Sequence, residues 1–141
     1  MTRPASIAFV LLITASSLHA QDAAVKELEG EYTLKAFERG GKPVPDEAKK
    51  AVSPVVIVAG KLKFTAGGKE LVANLKADKS KKPAEIDLYP QGTDYEKGRK
   101  FQGVYQLEKG ELTLVFVEDG DRPKDLKGDA VNATKLVLVK K

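Results

Sequence analysis

Apolar and polar residues alternate with a period of two along most of the chain beyond Gly30, and no other feature restricts the fold as strongly. Such alternation is typical of strands that turn one face to a core and the other to water. Eight stretches show this pattern. Their predicted inward positions are Tyr32-Leu34-Ala36, Val55-Ile57-Ala59, Leu62-Phe64, Leu71-Ala73-Leu75-Ala77, Ala84-Ile86-Leu88, Phe101-Gly103-Tyr105-Leu107, Leu112-Leu114-Phe116 and Leu136-Leu138.

The connections between these stretches are mostly short and contain glycine. Ala59-Gly60, Gly67-Gly68 and Lys109-Gly110 have the turn chemistry of β-hairpins. The segment from Pro43 to Val52 lacks the alternation and predicts a short helix capped by Asp46. Eight sequential antiparallel strands favour an all-β up-and-down barrel with one short helix after the first strand, because closure removes exposed edges. A two-sheet sandwich is the alternative, which the lack of long crossing connections disfavours.

The N-terminus has the order of a secretory signal peptide. Arg3 precedes an apolar run, Ile7 to Ile13, and small and polar residues lead to Leu18-His19-Ala20. The run is shorter than the about 20 residues of a spanning helix, so a retained membrane anchor is the less favoured reading. We expect residues 1–20 to be removed, although Leu18 stands where a smaller residue is preferred. Residues 21–141 would then form one exported domain, periplasmic or extracellular, without a transmembrane segment.

The mature sequence lacks the residue types on which many enzymes and metal sites depend. It has no Cys and no Trp, and the single Met and His, Met1 and His19, lie in the predicted signal peptide. This excludes His/Cys metal sites, cysteine nucleophiles, disulfides and Ser-His-Asp catalysis. Glu85 and Asp87 remain as a conceivable acid–base pair, but their strand parity predicts that they face water outside the barrel. We expect no enzymatic activity, no cofactor and no metal.

Six short segments follow one another through most of the mature chain: Leu28-Glu29-Gly30-Glu31-Tyr32, Gly41-Lys42-Pro43-Val44-Pro45, Lys82-Pro83-Ala84-Glu85-Ile86-Asp87-Leu88, Gly103-Val104-Tyr105-Gln106-Leu107, Gly110-Glu111-Leu112 and Arg122-Pro123. Together they resemble the lipocalin-like family of small secreted domains of planctomycetes and related bacteria, a family of uncharacterised function. The resemblance covers nearly all of the mature chain. It implies a lipocalin-like barrel and an exported setting, and it brings no catalytic residues. Lipocalins have a Trp where this chain has Tyr32, and they pack a cationic side chain over it, a role that Lys140 or Lys141 would take here.

The barrel interior is the first candidate site. Its inward positions are almost all apolar, and small residues lie among the large ones, as in a calyx for a small apolar ligand. The alternative is a filled core, since an eight-stranded barrel is just wide enough for side chains to fill it. The residues predicted to contact such a ligand are Tyr32, Ala73, Phe101, Gly103, Tyr105 and Phe116.

Charge provides two further candidates. The acidic turn from Glu118 to Asp121 lacks the regular ligand spacing of a calcium loop. Arg122, which follows it, is expected to pair with a neighbouring carboxylate, or else to contact an anion at the barrel mouth. Residues 42–82 hold ten lysines against four acids. Their outward lysines either form a patch for an anionic envelope surface or simply solvate the exterior and protect strand edges.

These observations favour a secreted, monomeric, non-enzymatic lipocalin-like module that binds a small apolar or amphipathic ligand. The alternative is a filled barrel that acts through its surface, as an envelope-associated or inhibitor-like interaction domain. A hydrolase that uses carboxylates and tyrosine ranks below both. Nucleic acid is not an expected partner, because no exposed aromatic residues interleave the lysines of an exported protein.

Overall fold

The computed structural model describes residues 23–52, 54–92 and 99–141. The predicted signal peptide, residues 1–20, lies outside the described residues. Residues 23–27 are helical, and one further short helix, α1, spans Asp46–Lys50. The strands are β1 (Gly30–Arg39), β2 (Lys42–Pro43), β3 (Val55–Val58), β4 (Lys61–Ala66), β5 (Lys69–Asp78), β6 (Ala84–Gln91), β7 (Phe101–Glu108), β8 (Glu111–Val117) and β9 (Ala133–Lys140).

Eight of the strands form a closed antiparallel barrel. From β3 to β9 each strand pairs with the next one along the chain, and β1 pairs with both β3 and β9, which closes the circle. The two-residue β2 only extends the far end of β1. The predicted all-β, up-and-down, eight-stranded barrel is therefore confirmed. Each of these eight described strands has a partner on both sides, so closure limits the strand edge available for pairing with other chains.

A bulge in β1 changes which residues face the core. Leu34 pairs with Leu138 and Ala36 with Val137, so that Lys35 is the extra residue. Beyond this bulge the parity of the strand reverses, because one added residue moves each following side chain to the other face. Phe37 therefore packs against the core. The prediction that Ala36 faces inward is wrong.

The chain between β1 and β3 completes the barrel wall at the end opposite the β3–β4 turn. The amide of Val44 donates to the carbonyl of Phe37 at 2.9 Å, and Val52 forms a β-bridge with Ala66 of β4. Helix α1 lies between these two contacts. Its N-cap is Pro45, without a side-chain cap, so the prediction that Asp46 caps the helix is wrong. Asp46 is instead the first helical residue, and it pairs with Lys49 at 3.3 Å.

The two ends of the barrel differ. At one end, the N-terminal helical segment (residues 23–28) lies beside the β3–β4 turn, where Val25 contacts Gly60 and Glu29 accepts a hydrogen bond from the amide of Ala59. Ala24 and Leu28 of this segment are completely buried. We call this the base. At the opposite end, which we call the open end, β6 ends, β7 begins and the β8–β9 connection lies.

A second apolar cluster lies on the outside of the wall. It consists of outward residues of β7, β8 and β9, namely Val104, Val115, Val117 and Ala133, covered by Leu126. Leu126 belongs to the β8–β9 connection, residues 118–132, which folds back over these strands. The period of two predicts that Val104 faces water, but the structure shows that it is buried.

Candidate functional site

Tyr32 seals the base of the barrel rather than lining a ligand cavity. Its side chain is fully buried, and its hydroxyl donates to the carbonyl of Leu28 at 2.7 Å. Burial raises the pKa of this phenol. The Nζ of Lys140 lies 6.0 Å from the centre of the ring, so the predicted cationic cover is provided by Lys140. Tyr32 thus fixes the N-terminal helical segment to the start of strand β1.

The interior above the base is filled with side chains. All seventeen residues of the main core cluster are less than a tenth exposed, and they extend from Ala24 through both halves of the barrel. Ala73 is 1% exposed. Tyr105 is 6% exposed, and burial, together with the negative charges of Glu27 and Asp78, raises its pKa to about 12. These two predicted ligand contacts therefore lie in the packed core.

Gly103 leaves no room for a ligand beside it. A Cβ atom at this position would lie 2.6 Å from the carbonyl oxygen of Val115 and 3.0 Å from the Cβ of Phe116. Real carbon atoms do not approach a carbonyl so closely. The absence of a side chain at Gly103 therefore permits close approach of the β7 and β8 backbones, and it creates no cavity.

The apolar lining is less completely covered toward the open end. Phe37, Phe64 and Leu71 pack against the core but are only partly buried. Phe101 and Phe116 stack with ring centres 6.0 Å apart, and Phe116 is also only partly buried.

Two guanidinium groups lie over aromatic rings at this end. The Arg39 guanidinium is 5.5 Å from the ring centre of Phe37, and that of Arg99 is 5.9 Å from the ring centre of Phe101. Arg99 also pairs with Glu118 at 3.0 Å, while its Nε is buried without a hydrogen-bond partner among the described residues. Cationic and aromatic groups thus meet at the open end.

Two depressions are the best formed on the described surface, and neither lies inside the barrel. The first, of about 290 Å³, is polar and lies outside the β7–β8 hairpin, next to Lys109. The second, of about 230 Å³, lies between β1 and α1, and we call it the β1–α1 depression. Its lining comprises Thr33, Leu34, Lys49, Lys50, Val52 and Pro54. It is the more apolar of the two, and Leu34, which lines it, is an inward residue of β1 that also packs against the core.

Arg122 lies on the outer wall of the barrel. Its guanidinium donates to the carboxylate of Asp87 at 2.7 Å and to the backbone carbonyls of Ile86 and Gly103 at 3.1 and 2.8 Å. Both side chains of the ion pair are one-fifth exposed. The prediction that Arg122 pairs with a carboxylate is confirmed. Because the guanidinium is occupied on the outer wall, it is not positioned to contact an anion at the barrel mouth.

The two carboxylates considered for acid–base chemistry both lie close to the guanidinium of Arg122. Glu85 and Asp87 face outward as predicted, but Asp87 lies under the β8–β9 connection rather than in water, and Glu85 is 3.8 Å from the Nε of Arg122. Within residues 23–52, 54–92 and 99–141, no group of three carboxylates is arranged to hold a metal ion. Glu85 and Asp87 both interact with Arg122.

Fold and site together define a small closed antiparallel β-barrel with a sealed base, a packed interior and an apolar depression in its wall. No protein-family model matches the chain, and neither the curated proteins nor the solved structures contain a matching one. In the described part of the chain, no helix has the length and apolar character required to cross a membrane.

Proposed function

We propose that the protein is an exported, non-enzymatic binding module for a small amphipathic molecule, and that this ligand occupies the β1–α1 depression. One observation carries the proposal: Leu34, an inward residue of the barrel, lines a depression that is open to solvent. The resemblance to lipocalin-like secreted domains supports both the binding role and the exported setting. The packed interior argues against the calyx as the site.

The lining of the depression indicates the chemistry of the ligand. Leu34, Val52 and Pro54 supply apolar contacts, whereas Lys49 and Lys50 contribute ammonium groups. Lys49 pairs with Asp46, whereas Lys50 forms no ion pair with any described residue, so we assign the contact with the anionic group to Lys50. Binding sites for drug-sized molecules usually hold about 300–1,000 Å³. A depression of about 230 Å³ therefore suits a short acyl chain or a fused ring that carries one anionic group.

The dye 8-anilinonaphthalene-1-sulfonate has this combination of aromatic rings and one anionic group, and its fluorescence reports binding. We expect it to bind the native protein. Val52→Phe, which fills the depression, should weaken binding by at least about tenfold, equivalent to about 1.4 kcal/mol. Val58→Phe is the matched control, because Val58 is 49% exposed on the outer wall. Equal affinities of the two Phe variants would refute the proposed location.

The contribution of charge needs a separate comparison. Lys50→Glu should weaken binding of the sulfonate dye but not that of Nile red, which is apolar and uncharged. Lys124→Glu changes the net charge equally and lies elsewhere on the surface, so it should affect neither dye. If both Glu variants weakened the sulfonate dye alike, Lys50 would have no specific role and the proposed ligand chemistry would be wrong. Circular dichroism and the unchanged Tm of each variant would show that the barrel is intact.

A further inference from the structure

Five outward residues form a polar and aromatic surface across β4, β5 and β6. Lys61 pairs with Asn74, and Asn74 pairs in turn with Tyr89, so the three residues form one row across three strands. Lys63 and Lys76 flank this row on β4 and β5. The Nζ of Lys76 lies 5.2 Å from the ring centre of Tyr89. We call these five residues the lysine–tyrosine face.

The lysines of this face are not held in ion pairs within the part of the chain that the structure describes. Four other lysines, Lys35, Lys49, Lys79 and Lys141, pair with carboxylates. In the described ranges, by contrast, Lys61, Lys63 and Lys76 form no ion pair. The carboxylate opposite Lys76 is that of Asp87, and Arg122 already occupies it.

The strand positions of Lys61, Lys63 and Lys76 bring their charges close together. Residues two apart on a strand face the same side and lie about 7 Å apart, which gives the separation of the Lys61 and Lys63 backbones. Diagonal neighbours on adjacent strands are about 7–8 Å apart, as Lys61 and Lys76 are. Like charges at this spacing repel one another. An anionic partner therefore gains attraction from all three and also relieves their repulsion.

We propose that the lysine–tyrosine face binds an acidic polysaccharide, that is, a linear sugar polymer with carboxylate or sulfate groups. The three ammonium groups suit the anionic substituents. The Asn74 amide can donate to and accept from hydroxyl groups, and the Tyr89 ring offers an apolar platform with a polar edge. The convex outer wall of the barrel accommodates an extended polymer without a pocket.

The surroundings of the face favour a polysaccharide over a lipid bilayer. Stable binding to a membrane surface combines electrostatic attraction with large apolar side chains that enter the lipid. Among the described residues, the exposed large apolar side chains are Val58, Val131 and Val139, of which only Val58, at 49% exposure, adjoins Lys61. This site is distinct from the β1–α1 depression, so either proposal can fail without the other.

Fluorescence polarisation of the full mature protein with labelled heparin, a sulfated polymer, and labelled polygalacturonate, a carboxylated one, tests the proposal. We expect both to bind, with an affinity that falls as salt rises. The triple variant Lys61→Ala, Lys63→Ala, Lys76→Ala should weaken binding by at least about tenfold. The slope of log affinity against log salt concentration should be smaller for this triple variant by about two to three, because each lysine releases close to one counterion. The matched control, Lys42→Ala, Lys124→Ala, Lys127→Ala, removes the same charge elsewhere and should retain most of the affinity.

A second variant separates sugar recognition from charge alone. Tyr89→Ala keeps every lysine, and it should weaken both polysaccharides about threefold or more while leaving polyphosphate binding unchanged. Equal losses in the two triple variants would overturn the proposal, because net charge would then suffice. Tighter binding to phosphatidylglycerol vesicles or to a single-stranded oligonucleotide than to either polysaccharide would also overturn it, and would identify a membrane or a nucleic acid as the partner.

Discussion

The guanidinium of Arg122 lies 2.7 Å from the carboxylate of Asp87, although 35 residues separate them in the sequence. The same guanidinium donates to carbonyls of two adjacent strands, at Ile86 and Gly103. One side chain therefore fixes the β8–β9 connection to β6 and β7. Since Leu126 of that connection covers the outer apolar cluster, the ion pair also keeps water away from Val104, Val115 and Val117.

Removing Arg122 should destabilise the barrel more than a typical surface substitution does. Arg122→Ala leaves the Asp87 carboxylate, which is one-fifth exposed, without its donor, and it removes two further hydrogen bonds to backbone carbonyls. Hydrogen bonds to charged groups contribute about 1.5–3 kcal/mol each, so we expect the free energy of unfolding to fall by about 2–3 kcal/mol. Urea denaturation of the purified variant measures this loss.

The exposed ion pair of Lys35 and Glu111, which is 2.9 Å long, provides the control. Its side chains are 60% and 42% exposed, and solvent-exposed pairs contribute about 0–1 kcal/mol. Lys35→Ala should therefore change stability little. If Arg122→Ala were no more costly than Lys35→Ala, the ion pair would not fix the β8–β9 connection. The double variant Arg122→Ala, Asp87→Ala should lose less than the sum of the two single losses, since the residues share one interaction.

The inward face of each strand could be predicted from the sequence, because the period of two is a local property. The residues of the core cluster on β4 to β9 match that alternation. The position of Ala36 could not be predicted, since the bulge at Lys35 depends on how β1 pairs with β9, and pairing is not visible in the sequence of one strand. The sequence does contain one indication of the outer apolar cluster. Leu114 to Val117 is an unbroken apolar run, which is typical of burial on both faces.

The candidate site was predicted less well than the fold. The sequence indicates which residues face the core but not whether they leave space, because packing depends on the positions of all strands at once. Gly103 illustrates this, since a small residue in the interior fits both a cavity and a close backbone approach. The β1–α1 depression arises where Val52 replaces a continuous strand beside Ala66, and no local pattern indicates that arrangement.

The hydroxyl of Tyr32 should contribute to the sealing of the base. Tyr32→Phe keeps the ring in place and leaves the carbonyl of Leu28 without its donor, at an expected cost of about 1–2 kcal/mol. Hydrogen exchange of the Leu28 amide, which donates to Val25 at 3.1 Å, should accelerate in the variant. Tyr105→Phe is the matched control, because no hydrogen bond of the Tyr105 hydroxyl is found among the described residues. Identical exchange at Leu28 in wild type and Tyr32→Phe would contradict the assigned role.

Gly103 should not tolerate even one added methyl group. The Cβ of Gly103→Ala would lie 2.6 Å from the carbonyl oxygen of Val115 and 3.2 Å from the Cγ2 of Ile86. Overpacking of this kind usually costs about 1–3 kcal/mol, measurable as a lower urea midpoint. Because the nearest atom belongs to the backbone, shortening the neighbouring side chain with Phe116→Leu should not restore stability. A rescue by that second substitution would show that the constraint is a side-chain contact.

Tyr105 should make the barrel sensitive to alkaline pH. Burial, and then the charges of Glu27 and Asp78, raise its folded-state pKa to about 12, whereas an unfolded tyrosine has a pKa of about 10. Between these values the folded state binds the proton more tightly than the unfolded state does. Its contribution to stability is therefore complete below pH 10 and is lost as the pH rises from about 10 to about 12.

Comparison with Tyr105→Phe isolates this contribution, because both proteins share the titration of every lysine. The two should have similar unfolding free energies at pH 8, and wild type should lose about 1–2 kcal/mol more than the variant by pH 12. Absorbance at 295 nm should show a phenol that titrates near pH 12 in wild type and is missing from Tyr105→Phe. Parallel stability curves across this range would mean that Tyr105 ionises equally easily in the folded and unfolded states.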